Sequence, residues 1–166
     1  MTFSTDGKLG IDFTQVDTIP TQTLGATAIA NDGSEYIYGQ ANGAFTLGAG
    51  QVVQIETTGS IFDGTLISTT TSASSRGDLV GVVQAVMADN EYGWFQIRGL
   101  CTVYVLASCA AHTQLNTTAT GGQLDDDATA GAEVIENLYT LTANGGGGAA
   151  AVAAYISNAP YVGATL

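Results

Sequence analysis

Positive charge is nearly missing from this sequence. Lys8, Arg76 and Arg98 are the only Lys or Arg side chains among 166 residues, against 15 acidic ones, for a net charge of -12. Three cations cannot build the phosphate-neutralising surface that nucleic-acid binding needs. The same deficit argues against docking on an anionic membrane. Charge of either sign is scarce, at 11% of residues, where an ordinary soluble domain carries roughly 25%. Proline occurs twice and histidine once. Apolar runs are short: the longest, Gly148 to Ile156, is mostly alanine and falls well below the ~20 residues of a membrane-spanning helix. The opening MTFSTDGKLGIDF has no basic stretch ahead of an apolar one, so a cleaved secretory signal is not expected.

What remains is apolar and small. Hydrophobic residues make up 45% of the chain and the mean hydropathy is +0.22, so the chain has enough apolar content to fold. Its length fits one domain burying roughly two-thirds of the surface its unfolded form exposes. Twenty-two glycines favour turns and strands over helices, because glycine weakens helices and supplies positive φ in turns. Cys101 and Cys109 are expected as reduced, buried thiols, since a disulfide across eight positions needs a tight reversal.

Period-two patterning recurs, and it predicts an all-β domain, a small barrel or sandwich with Gly/Thr-rich loops, over residues 26–166. Residues 1–25 carry few apolar positions and are expected as an extended N-terminal arm. Asp32-Gly33 marks a turn between two short strands, ATAIA and EYIYGQ. Strands are also expected around Val52 to Ile55, at Ile61-Phe62 and Leu66-Ile67, at Glu133 to Ile135 and at Leu138 to Thr142. The clearest element is a long hairpin, Leu79 to Met87 followed by Trp94 to Leu106. In its second strand Phe95, Ile97, Gly99, Cys101, Val103 and Val105 share an apolar face, while Trp94, Gln96, Arg98, Leu100, Thr102 and Tyr104 share an amphipathic one. The closing AAAVAAYISNAPYVGATL has helix propensity at its start and strand character at its end.

Candidate chemistry is thin. Ser108 or Cys109 with His112 makes a nucleophile-base pair on paper, but nothing around them matches a nucleophile elbow or a cysteine-protease context. Gly145 to Gly148 lacks the Gly-Lys-Ser/Thr ending of a phosphate loop. Asp125, Asp127, Thr129 and Glu136 fall at positions one, three, five and twelve of a calcium loop, yet Ala130 stands where that loop needs glycine. The triplet Asp125-Asp126-Asp127 otherwise reads as a solvated loop or a contact for a basic partner. Arg76-Gly77-Asp78 and Asn116-Thr117-Thr118 match an integrin tripeptide and a glycosylation acceptor, motifs short enough to arise by chance. Arg98, beside Trp94, Leu100 and Tyr104, is a candidate subunit-interface anchor. No catalytic residue, cofactor or resident metal is expected.

The segments Gly81-Val82-Val83 and Gly93-Trp94-Phe95-Gln96-Ile97-Arg98-Gly99, with Gly122-Gln123-Leu124 following, resemble capsid decoration proteins of tailed bacteriophages, also called cement or head-stabilising proteins. The likeness spans roughly residues 24 to 136. It implies a β-rich, commonly trimeric structural protein that is not an enzyme. Such a protein is made in the host cytoplasm and sits on the outer surface of the virion, bound to the major capsid protein. Trp94, Arg98, Leu100, Tyr104 and Asp125 to Asp127 are the interface candidates. A receptor- or carbohydrate-binding fibre or adhesin module is the competing expectation, resting on an exposed aromatic cluster of Tyr36, Tyr38 and Trp94.

Overall fold

The structure, a computed structural model, describes residues 10–57, 61–127 and 129–166, and ten strands form among them. They are β1 (Thr27–Ile29), β2 (Glu35–Ala41), β3 (Val52–Glu56), β4 (Asp63–Leu66), β5 (Leu79–Val83), β6 (Tyr92–Val105), β7 (Gln114–Thr117), β8 (Leu124–Asp125), β9 (Glu133–Thr140) and β10 (Ala150–Thr165). The protein is all-β, as the alternation predicts. Residues 1–9 of the expected arm, with Lys8, and residues 58–60 and 128 lie outside the described residues.

The strand pairings trace two five-stranded rings that share β6. In the first, β6 pairs with β2 and β5, β5 with β3, β3 with β4, and a short parallel pairing of β4 with β2 closes the circuit. In the second, β6 pairs with β10, β10 with β9, β9 with β7 and β7 with β8, and β8 returns to β6 at Leu124 and Val105. A strand of 14 residues is long enough for its two halves to serve different rings.

Each ring has its own core. Phe95 and Ile97, from the first half of β6, pack with Ile37, Val53, Ile55 and Val83. Val103 and Val105, from the second half, pack with Leu115, Leu124, Ile135, Leu138 and Ile156. Strand β5 lies between the two clusters. Its Val83 faces the first and its Val80 and Val82 face the second. That placement explains why Leu-Val-Gly-Val-Val does not alternate in polarity, because a strand buried on both faces reads as a continuous apolar run.

The first ring closes around the Phe95 side chain, which meets Phe45 edge-on at 6.2 Å between centroids. A Cβ added at Gly64 would lie 2.8 Å from the Phe95 ring, one at Gly39 2.7 Å from it, and one at Gly81 2.8 Å from the Phe95 Cβ. Three strands, β2, β4 and β5, therefore each leave out a side chain where Phe95 enters from β6.

Some boundaries differ from expectation. The strand from Leu79 ends at Val83, and Met87 instead makes an isolated bridge to Phe45. The expected strands at Glu133 to Ile135 and Leu138 to Thr142 are one strand, β9, with Asn137 at φ 67 where its register against β10 shifts. The alanine-rich segment near the end is part of the 16-residue β10. Its alternate residues Val152, Ala154 and Ile156 are buried in the second core, and this burial outweighs alanine's helix propensity.

Candidate functional site

The N-terminal segment shapes one side of the molecule. Residues 10–26 run outside the β2 and β6 strands, where Asp17 and Tyr92 exchange backbone hydrogen bonds of 2.9 and 2.8 Å. Phe13 stacks on Tyr36 at 3.8 Å between centroids and meets the Trp94 ring edge-on at 5.5 Å. Tyr36, Tyr38 and Trp94, expected as an exposed aromatic cluster with Trp94 at an interface, are instead buried, Trp94 being only 4% exposed. The physical reason is the cover supplied by Phe13, Leu24 and Ala26, which strand periodicity cannot foresee. The aromatic support for an adhesin is thereby lost.

Asp17 fastens this segment. Its Oδ2 accepts from the Tyr38 hydroxyl (2.9 Å) and the Thr21 hydroxyl (2.7 Å), and its Oδ1 accepts from Gln15 Nε2 (2.7 Å). Burial raises the carboxyl's pKa, but these three bonds together outweigh it and hold the value below its usual 3.8. A lowered carboxyl pKa adds stability that is present above the unfolded value and lost as pH falls through the folded one. Asp17→Asn is therefore expected to destabilise the protein at pH 7, with the gap closing as pH falls below 3.8. Urea titrations of both proteins across that range measure it.

The acidic triplet lies at the β8 end of the second ring. Asp125 pairs in register with Asn116 of β7. Asp125 and Asp127 both line a cleft of about 250 Å³, whose other walls include Thr69, Thr117 and Thr118. Asp126 points elsewhere: its Oδ2 accepts the Ala110 amide at 3.0 Å. Burial, reinforced by the charges of Asp127 and Asp126, holds the Asp125 carboxyl above its ordinary value. The cleft is rich in acceptors and suits a basic side chain.

The calcium pattern is not assembled. Asp125 on β8 and Glu136 on β9 are separated by β7, and Glu136 Oε2 accepts from Gln114 Nε2 at 2.9 Å. Strand pairing has pulled apart what linear spacing placed together. Among the described residues, the group near enough to share an ion is Cys109, Asp125 and Asp126, with ligand atoms within 4.8 Å. Burial and the neighbouring carboxylates push the Cys109 thiol up to about 12, and a protonated thiol is no ligand for a hard cation. Cys101 is likewise free and is pushed up to about 12 by burial.

The remaining short motifs resolve locally. Ser108 and His112 occupy positive φ, and Cys109 Sγ is directed at the Ala110 carbonyl, 3.8 Å away. No hydrogen bond joins His112 to Ser108 or Cys109 among the described residues. Asn116 of the glycosylation motif is buried. Asp78 of the Arg-Gly-Asp triplet is half-buried and accepts from Gln54 Nε2 at 3.0 Å.

Arg98 and Leu100 do reach the surface. Arg98 Nη1 donates to Glu35 Oε1 at 2.7 Å, and Leu100 is 65% exposed. Tyr104 is half-buried beside Gly50. Two neighbours of Leu100 escape the sequence pattern, namely Tyr155 of β10 directly opposite it and Tyr139 of β9 opposite Tyr155. A signal for Tyr155 exists in the alternation of Ala151, Ala153 and Tyr155 against Val152, Ala154 and Ile156, but it has meaning only in a strand. Compared with protein-family models and with curated proteins, the chain matches none.

Proposed function

We propose that this chain is a capsid decoration protein: a structural, non-enzymatic component that binds the outer surface of a phage shell through the major capsid protein, as a homotrimer. The observation that carries this reading is where the resembling motifs fall. Gly81-Val82-Val83 lies in β5, which packs between the two cores, and Gly93 to Gly99 lies in β6, which both rings share. Gly81 is required by the close approach of Phe95. Gly99, at φ 98, packs against Ser34. Two of the three resembling motifs thus fall on residues that determine the architecture, and the third, Gly122-Gln123-Leu124, falls on the turn that enters β8.

Two surfaces support the reading. The cleft carrying Asp125 and Asp127 offers carboxylates to a basic group of the shell, and the outer face around Leu100 is uncharged. Adding the purified protein to shells that lack it should give saturable binding and shells that withstand higher temperature. Asp127→Lys should weaken that binding about tenfold, and rising salt should weaken the wild type. Failure to bind either immature or expanded shells sinks the proposal.

A further inference from the structure

The register of the second ring assembles a patch with an unusual electrostatic property. Leu100 of β6 lies opposite Tyr155 of β10, and Tyr155 lies opposite Tyr139 of β9. One step along the same face Thr102 lies opposite Ala153, and one further Tyr104 lies opposite Ala151. Directly opposed residues share a face of the sheet, so these seven side chains form one outer surface. Their inward neighbours, Cys101, Val103, Val152, Ala154 and Ile156, belong to the second core. Leu100, Tyr155 and Tyr139 are 65%, 40% and 37% exposed, over a floor of threonine and alanine.

None of the seven carries a charge, in a chain whose net charge is -12. The first charges met are at the margin: the Arg98 and Glu35 ion pair on one side and Glu136, bonded to Gln114, on another. A basic partner gains nothing from such a face, because the carboxylates that would attract it lie elsewhere. A second copy of this chain is in the opposite position. Two molecules of charge -12 repel through most of their surfaces, and they approach at least cost where carboxylates are absent. Aromatic and aliphatic groups without charge, ringed by polar residues, match the centre of a protein interface.

We propose that this uncharged face of β6, β10 and β9, centred on Leu100, Tyr155 and Tyr139, is the surface through which one copy of the chain docks on another. It rests on the homotrimer element of the function proposed above and names the face that element uses. The electrostatics set a distinctive salt dependence. Raising the salt from ~0.05 M to ~0.5 M shortens the screening length several-fold, so self-association tightens, whereas contact with a basic shell weakens.

The test is light scattering on the full chain across protein concentration and salt. The wild type should form an oligomer favoured by salt. Leu100→Glu with Tyr155→Glu should raise the dissociation constant at least ~10-fold, and the neutral pair Leu100→Ser with Tyr155→Ser should weaken association without adding charge. Ile19→Glu, at an exposed apolar residue off this face, should leave the mass unchanged. A wild type that stays monomeric, an association that weakens with salt, or a Glu pair that keeps the wild-type mass while folded each overturns the proposal. Should the Glu pair fail to fold, the Ser pair decides by the same criterion. A dimer lost in these variants upholds the face and overturns the trimer. Oligomers that do not bind shells uphold the face and overturn the decoration function.

Discussion

Phe95→Ala should lower the unfolding free energy by about 3–5 kcal/mol, the range for emptying a fully buried aromatic site. Phe95 is fully buried, contributed by the strand that both rings share, and Gly39, Gly64 and Gly81 leave room for it from three other strands. Because those positions have no side chains to move inward, the cavity cannot readily collapse, which places the expected cost toward the upper end. The same geometry predicts coupling. Gly64→Ala alone should be destabilising, since its Cβ would lie 2.8 Å from the Phe95 Cζ and 3.1 Å from its Cε2. In Phe95→Leu, which lacks those ring atoms, the penalty at Gly64 should shrink, giving a non-additive cycle of about 0.5–3 kcal/mol. Chemical denaturation of the four proteins measures both quantities. Additive behaviour would show that the ring does not close around Phe95 as described.

Trp94→Ala should cost a similar ~3–5 kcal/mol, but with a different local signature. Trp94 lies on the opposite face of the same strand, in edge contact with Phe13 at 5.5 Å and with Tyr38 at 5.2 Å. Each such aromatic pair contributes roughly 0.5–1.5 kcal/mol beyond its buried area. Removing the indole therefore weakens the docking of residues 10–26 as well as global stability. Limited proteolysis should cut within that segment faster in Trp94→Ala than in Phe95→Ala, at denaturant concentrations that equalise their global stabilities. Phe13→Ala should reproduce the rapid cleavage with a smaller loss of global stability, since Phe13 is only half-buried. Equal cleavage rates in all three would separate the aromatic cluster from the anchoring of the segment.

Much of β6 is legible in its own residues. The alternation from Trp94 to Leu106 assigns Phe95, Ile97, Val103 and Val105 to the interior and Arg98, Leu100 and Thr102 to the exterior, where they are found, but Trp94 and Gln96, assigned to the same outer face, are buried. Asp32-Gly33 is legible as a turn for a local reason: Gly33 adopts φ 85, and Asp32 accepts from the Ser34 amide at 2.9 Å. The outer face is only half visible. Leu100 can be assigned from its own strand, but Tyr155 and Tyr139 lie 55 and 39 positions further along the sequence. Nothing local links them. The acidic triplet is legible as exposed acid, whereas the division that turns Asp125 and Asp127 toward the cleft and Asp126 toward Ala110 depends on β8 pairing with β7 and β6.

Composition and periodicity by themselves determined the all-β class, the inward and outward faces of the second half of β6 and the lack of a cationic surface. These are properties of single residues and of neighbours two positions apart, which the pleat of a strand converts directly into burial. Tertiary structure alone decided that β6 serves two rings, that Phe13 covers Trp94, that Asp125 and Glu136 stand apart, and that Leu100, Tyr155 and Tyr139 meet. Each of these depends on pairings between distant segments. Register between strands is fixed by the summed burial of whole faces, a sum that no window of the sequence contains.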